Sequence, residues 1–440
     1  VNKIFQEMKT YNSIIIGSGL GGLTAGALLA LWGKKVLVLE QHYIAGGCAT
    51  AFKRKDFLME VGLHEIDGLH DQDFKRPIME LLGLFKGVEF LKIPELYHIR
   101  KGDFSYVLSE GKQAKEQLKR DFPKEEKNIN DFFITIEKLY KEMHQMPRSK
   151  WLRRLIHPLM PLLYPAIAST SRITAGEWLD KHFKDERLKT ILTANMCYYA
   201  DDPFNLSLMY FLVAQGCYLN GGGHFVKGGS QNLSNYLVHF IEQHGGQVLT
   251  GKYAKEILIE NNRAIGVAYQ DTFNRTIPIV KVYADTVIAN AAQPNVVQML
   301  PESQCRVLQK RIGKLRPACS LLSVYLGFNI DLRELGVTHY SNVILNKALK
   351  SLKDMKDDAH SPWIERSFTF VNYGVIDSQL CPKGKSLGVI CTTDYLADWE
   401  GLDDKDYQIQ KEVVARTLLK RLEKEYPTIL NYLEYYEVAT

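Results

Sequence analysis

The residues best suited to chemistry lie near the N-terminus. Gly17-Ser18-Gly19-Leu20-Gly21-Gly22 has the G-x-G-x-x-G spacing. Gly17 permits a tight turn, Gly19 lets bare backbone approach a pyrophosphate, and Gly22 lets the next helix press onto the preceding strand. Glu40 follows ~20 residues later, where a carboxylate accepts hydrogen bonds from ribose hydroxyls and disfavours a 2′-phosphate. NADP is therefore not the expected ligand of this turn. Directly after Glu40 comes Gln41-His42-Tyr43-Ile44-Ala45-Gly46-Gly47-Cys48. Its glycine pair offers bare backbone along which a longer dinucleotide can run on toward a flavin. A dehydrogenase that holds only NAD has no need of such a segment, so FAD is the expected cofactor.

Other candidates are weaker in isolation. His64 carries an imidazole that ordinarily titrates near neutrality, which suits a proton donor or a polarising group beside a flavin ring. A structural histidine is the competing reading. His64-Glu65 followed by His70 lacks the H-E-x-x-H spacing, and no C-x-x-C occurs among the seven cysteines, so no metal is expected. Asp201-Asp202-Pro203 has the look of a diphosphate–magnesium site but fits a helix cap or turn better. Flavin chemistry asks the protein chiefly for positioning and exclusion of water, so the lack of an obvious acid–base pair does not argue against an enzyme.

Certain elements must position these residues. Asn12 to Ile16 is a short β-branched strand, Leu23 to Trp32 has helix-forming composition stopped by Gly33, and Lys35 to Leu39 is a second buried strand ending on Glu40. That is one right-handed βαβ unit. Residues 82–178 read as mostly helical, the charged run Lys112 to Lys127 being a solvated face. Phe204 to Leu219 is apolar, and Gly221 to Gly229 lacks a strand before it, so no second nucleotide fingerprint is expected. A helix over Asn232 to His244 leads to strands at Gln247–Gly251, Ala254–Glu260 and Ala264–Tyr269, with a hairpin turn at Asn261-Asn262. Further strands are expected at Ala284–Ala289, Cys319–Phe328 and Ser386–Thr393, then a helix over Tyr407–Tyr426.

At 440 residues, two domains are the natural expectation. A net charge of +5, from 55 basic and 50 acidic residues, gives no reason to expect a nucleic-acid partner. Scattered cysteines fit a reducing, intracellular setting, cytoplasmic or at a membrane periphery. Val1 to Tyr11 is mixed and polar, with no apolar signal core. Leu155 to Ala168 is too short and too proline-broken to span a bilayer. With Lys150, Trp151, Arg153 and Arg154 before it, this stretch suits either a membrane interface or a buried loop–helix element.

Gly17 to Leu23, Val38-Leu39-Glu40-Gln41-His42 and Ala45-Gly46-Gly47-Cys48 together resemble the phytoene desaturase and carotenoid isomerase superfamily of flavoproteins. With Glu60-Val61-Gly62-Leu63-His64, they are most similar to its retinol saturase branch. Lys227-Gly228-Gly229, the Gly245-Gly246 to Gly266-Val267 strands, Asp285 to Ala291, Pro382-Lys383-Gly384-Lys385 and Trp399 extend the resemblance more loosely over the chain. It implies an α/β fold: a Rossmann-like FAD-binding domain of the glutathione-reductase/amine-oxidase type, with an inserted α+β substrate domain. The expected segments are 1–85, 225–300 and 415–440 for the FAD domain, the last of them incomplete, and 86–224 and 301–414 for the substrate domain.

The resemblance further implies saturation or desaturation of C–C bonds in a hydrophobic isoprenoid (retinoid, carotenoid or related polyprenoid) met at a membrane surface. Cis–trans isomerisation and non-catalytic lipid binding are the alternatives. The external electron donor or acceptor stays open among a quinone, a transient nicotinamide, a ferredoxin and oxygen. Carried over by position, Glu40 binds the adenosine ribose, with Gln41 beside it, and Gly46 and Gly47 pass the pyrophosphate and ribityl chain. Ala254 offers backbone to the adenine, Gly62, Leu63 and His64 lie near the flavin ring, and Asn290 and Ala291 complete the set with Gly17, Ser18, Gly19, Gly21 and Gly22. Cys48 stands where related flavoproteins often carry arginine, so one phosphate contact must come from elsewhere. The family's flavin-closing C-terminal loop and helix are not present before Thr440, which leads to the expectation that the intact protein is longer.

Overall fold

A computed structural model of the chain describes residues 11–440. The polar lead-in expected at the extreme N-terminus, apart from Tyr11, lies outside the described residues. The chain divides into two compact units. The first takes residues up to His64, Pro77–Phe90 and Val226–Pro317; the second takes Glu65–Arg76, Leu91–Phe225 and Ala318–Thr440.

In the first unit, β1 (Tyr11–Ile16), α1 (Leu20–Leu31) and β2 (Val36–Leu39) make the βαβ turn. Strand alternation sends Ile14 and Ile16, with Leu37 and Leu39, to one face of the sheet, where they pack with Ile257 and Val267. Ile15 and Val38 point to the other face. There a β-carbon added to Gly26 of α1 would lie 3.3 and 3.4 Å from their side chains. A hairpin follows, β3 (Ala51–Arg54) and β4 (Phe57–Glu60). After the excursion through the second unit come α2 (Ser230–Gln243), β5 (Gln247–Leu249), β6 (Lys252–Glu260), β7 (Arg263–Asp271) and β8 (Val280–Ala289).

The strand order is β5-β2-β1-β8-β7-β6. The first four run parallel, while β8, β7 and β6 form an antiparallel ribbon. The chain leaves β1 for β2 on one side, and β8 fills the other. The carboxyl end of β1 is thus a topological switch point, the place where open α/β sheets bind ligands. Asn261 and Asn262 link β6 to β7 with φ of 49° and 60°, the left-handed pair that a two-residue hairpin demands.

The second unit has a seven-stranded sheet in the order 433–439, 320–328, 386–394, 368–372, 341–344, 97–101, 104–108. A helical core forms around Phe132, Ile136, Phe211 and Leu212. Two sequence expectations need correction. Within the stretch read as mostly helical, the segment just before Gly111 is not: Phe90–Lys92, Tyr97–Lys101 and Phe104–Leu108 are strands. Tyr97 and Ile99 are buried at a two-residue period, and Gly102, at φ 59°, turns the hairpin. Residues 415–440 belong to the second unit, not to the dinucleotide unit. Leu418 and Leu422 of the Asp404–Glu425 helix join the sheet's core, and the Leu433–Ala439 strand pairs with Ser320–Phe328. The strand Gly223–Val226 lies within the Gly221–Gly229 segment, which is preceded by the helix Leu208–Gly221 and by no strand.

Candidate flavin site

Everything at the carboxyl end of β1 is built for close backbone approach. Gly17 has φ 95° and donates its N–H to the Leu39 carbonyl at 2.8 Å; a β-carbon on it would sit 2.4 Å from the Asn290 carbonyl oxygen. A β-carbon on Gly22 would sit 2.1 Å from the Gly17 carbonyl oxygen, so α1 can begin pressed against its own turn only with glycine there. No side chain caps α1, whose N-cap is Gly19. Its first amides are therefore left for an anion, which the helix dipole also favours.

Glu40 is 8% exposed and already committed within the turn. One carboxylate oxygen accepts from the Ser18 backbone N–H at 2.9 Å and from the Ser18 hydroxyl at 2.7 Å; the other accepts from the His42 N–H at 2.8 Å. The Gly46 N–H donates in turn to the Ser18 hydroxyl at 3.2 Å. A carboxylate offers about four acceptor positions, so three donors leave room for a ribose hydroxyl. Glu40 thus has a second task that the motif alone does not disclose: it ties the first glycine turn to the second. Gly19 and Gly46 are bridged as in a parallel pair, and a β-carbon on Gly47, at φ 61°, would lie 3.1 Å from the Gly19 α-carbon. The two glycine motifs, far apart in sequence, form one bare backbone surface. That surface fits a dinucleotide's phosphates.

The remaining expected residues fall around it. Asn290 donates its N–H to the Ile16 carbonyl at 2.8 Å, and its side-chain nitrogen lies 3.5 Å from the Gly17 carbonyl oxygen; Ala291 follows at the same strand end. A β-carbon on Gly21 would approach the Asn290 side-chain oxygen to 2.9 Å. Gln41 is exposed, and Ala254 is buried in β6 just before a bulge that shifts the register. The Lys252 N–H donates to the Glu40 carbonyl at 2.7 Å, which brings the start of β6 to the end of β2. Cys48 is an exposed free thiol, and a β-carbon on Gly62 would lie 3.3 Å from its carbonyl oxygen. Gly62 and Leu63 therefore border the second glycine pair. His64 is buried, and burial lowers its imidazole to about 4, so at neutral pH it is uncharged. The expectation that it titrates near neutrality is corrected accordingly. Asp202 accepts from the Phe204 N–H at 2.8 Å and from the Asn205 side-chain amide at 2.7 Å, the geometry of a turn.

Sequence reasoning missed Glu60 and the first turns of α2. Glu60, 1% exposed, accepts from the Ser230 N–H at 2.7 Å and the Ser230 hydroxyl at 2.5 Å, and from the Gly62 and Leu63 amides. Burial pushes its carboxyl up to about 7 against the pull of those donors. Ser234 donates to the Ala49 carbonyl at 2.7 Å and Gln231 to the Ala45 carbonyl at 3.0 Å. An acid closing a strand, two residues before a glycine, was the available signal. Its partner in α2 lies too far along the chain to be read from spacing.

The family model described as flavin containing amine oxidoreductase matches residues 20–434. The chain is 26% identical over 450 residues to prolycopene isomerase of Daucus carota, covering 98% of this chain and 69% of that protein. It is 28% identical over 470 residues to all-trans-retinol 13,14-reductase of Danio rerio, covering 98% and 74%. A solved structure of putrescine oxidase bound to putrescine superposes with a TM-score of 0.61 at 14% identity, covering 98% of this chain and 84% of that one. At that identity the likeness shows the fold.

Proposed function

The chain belongs to the flavin containing amine oxidoreductase family and its cofactor is FAD, and from that premise we propose that it saturates or desaturates C–C bonds of a hydrophobic isoprenoid. One observation carries the reading: relatives matched over 98% of the chain are named for the polyenes prolycopene and retinol. Bound FAD supplies the hydride chemistry. For this chain's own residues we assign binding and orientation. The α1 amides and Gly19 hold the pyrophosphate, Glu40 the adenosine ribose with Gln41 beside it, and Ala254 the adenine. Gly46 and Gly47 pass the ribityl side, Gly62, Leu63 and His64 face the ring, and Asn290 and Ala291 support the turn. As an uncharged imidazole, His64 can polarise through a neutral N–H but has no imidazolium proton to give at neutral pH.

Among the described residues no helix is long and apolar enough to cross a membrane. The Lys150–Ile156 helix buries none of its residues, and Trp151, Leu155, Leu159, Leu162 and Leu163 are exposed beside Lys150, Arg153 and Arg154. That pattern supports a peripheral membrane interface over a buried loop–helix, giving access to membrane-dissolved substrate.

The test is anaerobic incubation of FAD-loaded protein with reduced and oxidised flavin against retinol, carotenoids and simple amines, followed by chromatography with mass detection. A product two hydrogens heavier or lighter than a polyene is expected. Turnover of amines with every polyene untouched sinks the proposal. The second reading, cis–trans isomerisation, is favoured by the prolycopene isomerase relative and predicts a retention shift with no change of mass.

A further inference from the structure

The hairpin β3–β4 hangs between the two segments assigned to the flavin half of the cofactor, Gly46-Gly47 before it and Gly62 to His64 after it. Its base is closed by the Val61 N–H donating to the Thr50 carbonyl at 3.0 Å. A two-stranded hairpin alone is marginally stable in water, so something else must hold its base. That support is the start of α2. Ser234 and Gln231 grip the carbonyls of Ala49 and Ala45 on the entering side. On the leaving side Glu60 collects four donors: the Ser230 N–H and hydroxyl from α2, and the amides of Gly62 and Leu63. A β-carbon on Gly46 would meet the Ser234 hydroxyl at 2.6 Å, so the entering side is seated on the helix as closely as glycine allows.

We propose that Glu60 is a positioning residue for the cofactor: by joining the N-terminus of α2 to the Gly62 and Leu63 amides, it holds the backbone that borders the flavin in register with the Gly46-Gly47 surface. The inference rests on the FAD assignment and is independent of the isoprenoid substrate. Once ionised, above about pH 7, a carboxylate at this point serves two ends that no neutral residue serves together. It satisfies two amides of the loop, and it places negative charge at the helix start, where the dipole favours it. Glutamine keeps the length but presents one acceptor and one donor, so part of the four-donor set is left facing an N–H.

The experiment compares wild-type protein with Glu60→Gln, Ser230→Ala and Tyr236→Phe. Tyr236 lies on the same helix and donates to the Leu82 carbonyl at 2.8 Å, away from both loops, so it reports what general loosening of α2 does. FAD affinity is measured by titration, and the visible circular dichroism and reduction potential of bound flavin are recorded for each. Expected for Glu60→Gln and Ser230→Ala is FAD binding weaker by roughly tenfold or more, the scale of losing charge-assisted hydrogen bonds. An altered visible dichroism and a shifted potential should accompany it, while Tyr236→Phe retains the wild-type flavin signals. Wild-type FAD affinity, dichroism and potential in Ser230→Ala and in every Glu60 variant that folds overturn the proposal, as do changes no larger than those of Tyr236→Phe. Wild-type protein that takes up no FAD overturns the cofactor assignment and this role together.

Discussion

At the residue scale the site depends on two carboxylates that look alike in sequence and work differently. Glu40 is held by Ser18 and the His42 amide and keeps acceptor capacity at the ligand's side. Glu60 spends its acceptors entirely on protein donors. Burial raises Glu60 from 4.5 to about 7, so the folded state binds its proton more tightly than the unfolded chain does. The stabilising linkage is fully present below pH 4.5 and is lost as pH rises through about 7. Glu60→Gln should therefore remove one pH-dependent contribution. Measured by denaturant unfolding of the FAD-free protein, its stability relative to wild type should improve as pH rises from about 4.5 to about 7. A wild-type-minus-variant difference that is flat over that window counts against the buried, proton-binding carboxyl. Gly22 and Gly17 were readable from spacing because their need is steric and local. Glu60 was not, because the Ser230 donors that join it to α2 lie ~170 residues away in sequence.

At the element scale the first unit follows local rules closely. The Ile-rich β1, the glycine-stopped α1 and the strands around Asn261-Asn262 form where composition and turn chemistry direct them. Asn261 and Asn262 both adopt positive φ, which asparagine tolerates and β-branched residues resist. Asn261→Val should cost roughly 1–2 kcal/mol of stability, whereas Asn261→Gly should be close to neutral. Thermal or denaturant melts check both, and a valine variant as stable as the wild type would contradict the left-handed turn. Where local rules failed, a short strand was hidden in polar sequence. Tyr97–Lys101 alternates over only five residues, and its partners 104–108 and 341–344 supply the pairing that makes it a strand.

At the scale of the whole molecule, two bodies each have their own sheet, and the chain passes between them several times. The expected boundary near 225 coincides with a unit break, whereas those near 85 and 300 contrast with breaks at 64, 76, 90 and 317, and residues 415–440 lie in the second unit. Physically, an apolar helix face such as Val414, Leu418 and Leu422 is equally suited to any sheet; only packing chooses which. In the second unit, the exposed apolar side chains from Trp151 to Leu163 lie beside Lys150, Arg153 and Arg154. If they dock on membranes, FAD-loaded protein should sediment with vesicles containing anionic lipid and less with neutral ones. Each basic residue near the surface contributes about 1 kcal/mol. Replacing Trp151 and Leu162 with glutamate should abolish cosedimentation without loss of flavin. Equal binding by that double variant would rule this surface out.

The sequence by itself determined the chemistry of contact. Steric need at Gly17, Gly19 and Gly22, the carboxylate of Glu40 at a strand end and the bare backbone of Gly46-Gly47 are properties of residue type and short spacing. Tertiary structure decided what those groups are joined to. It brought Gly46 onto Gly19 through Ser18, fixed Glu60 at the start of α2, and left His64 uncharged by burying it. Hydrogen-bond partners and desolvation are set by neighbours that chain folding supplies, and no local pattern encodes them.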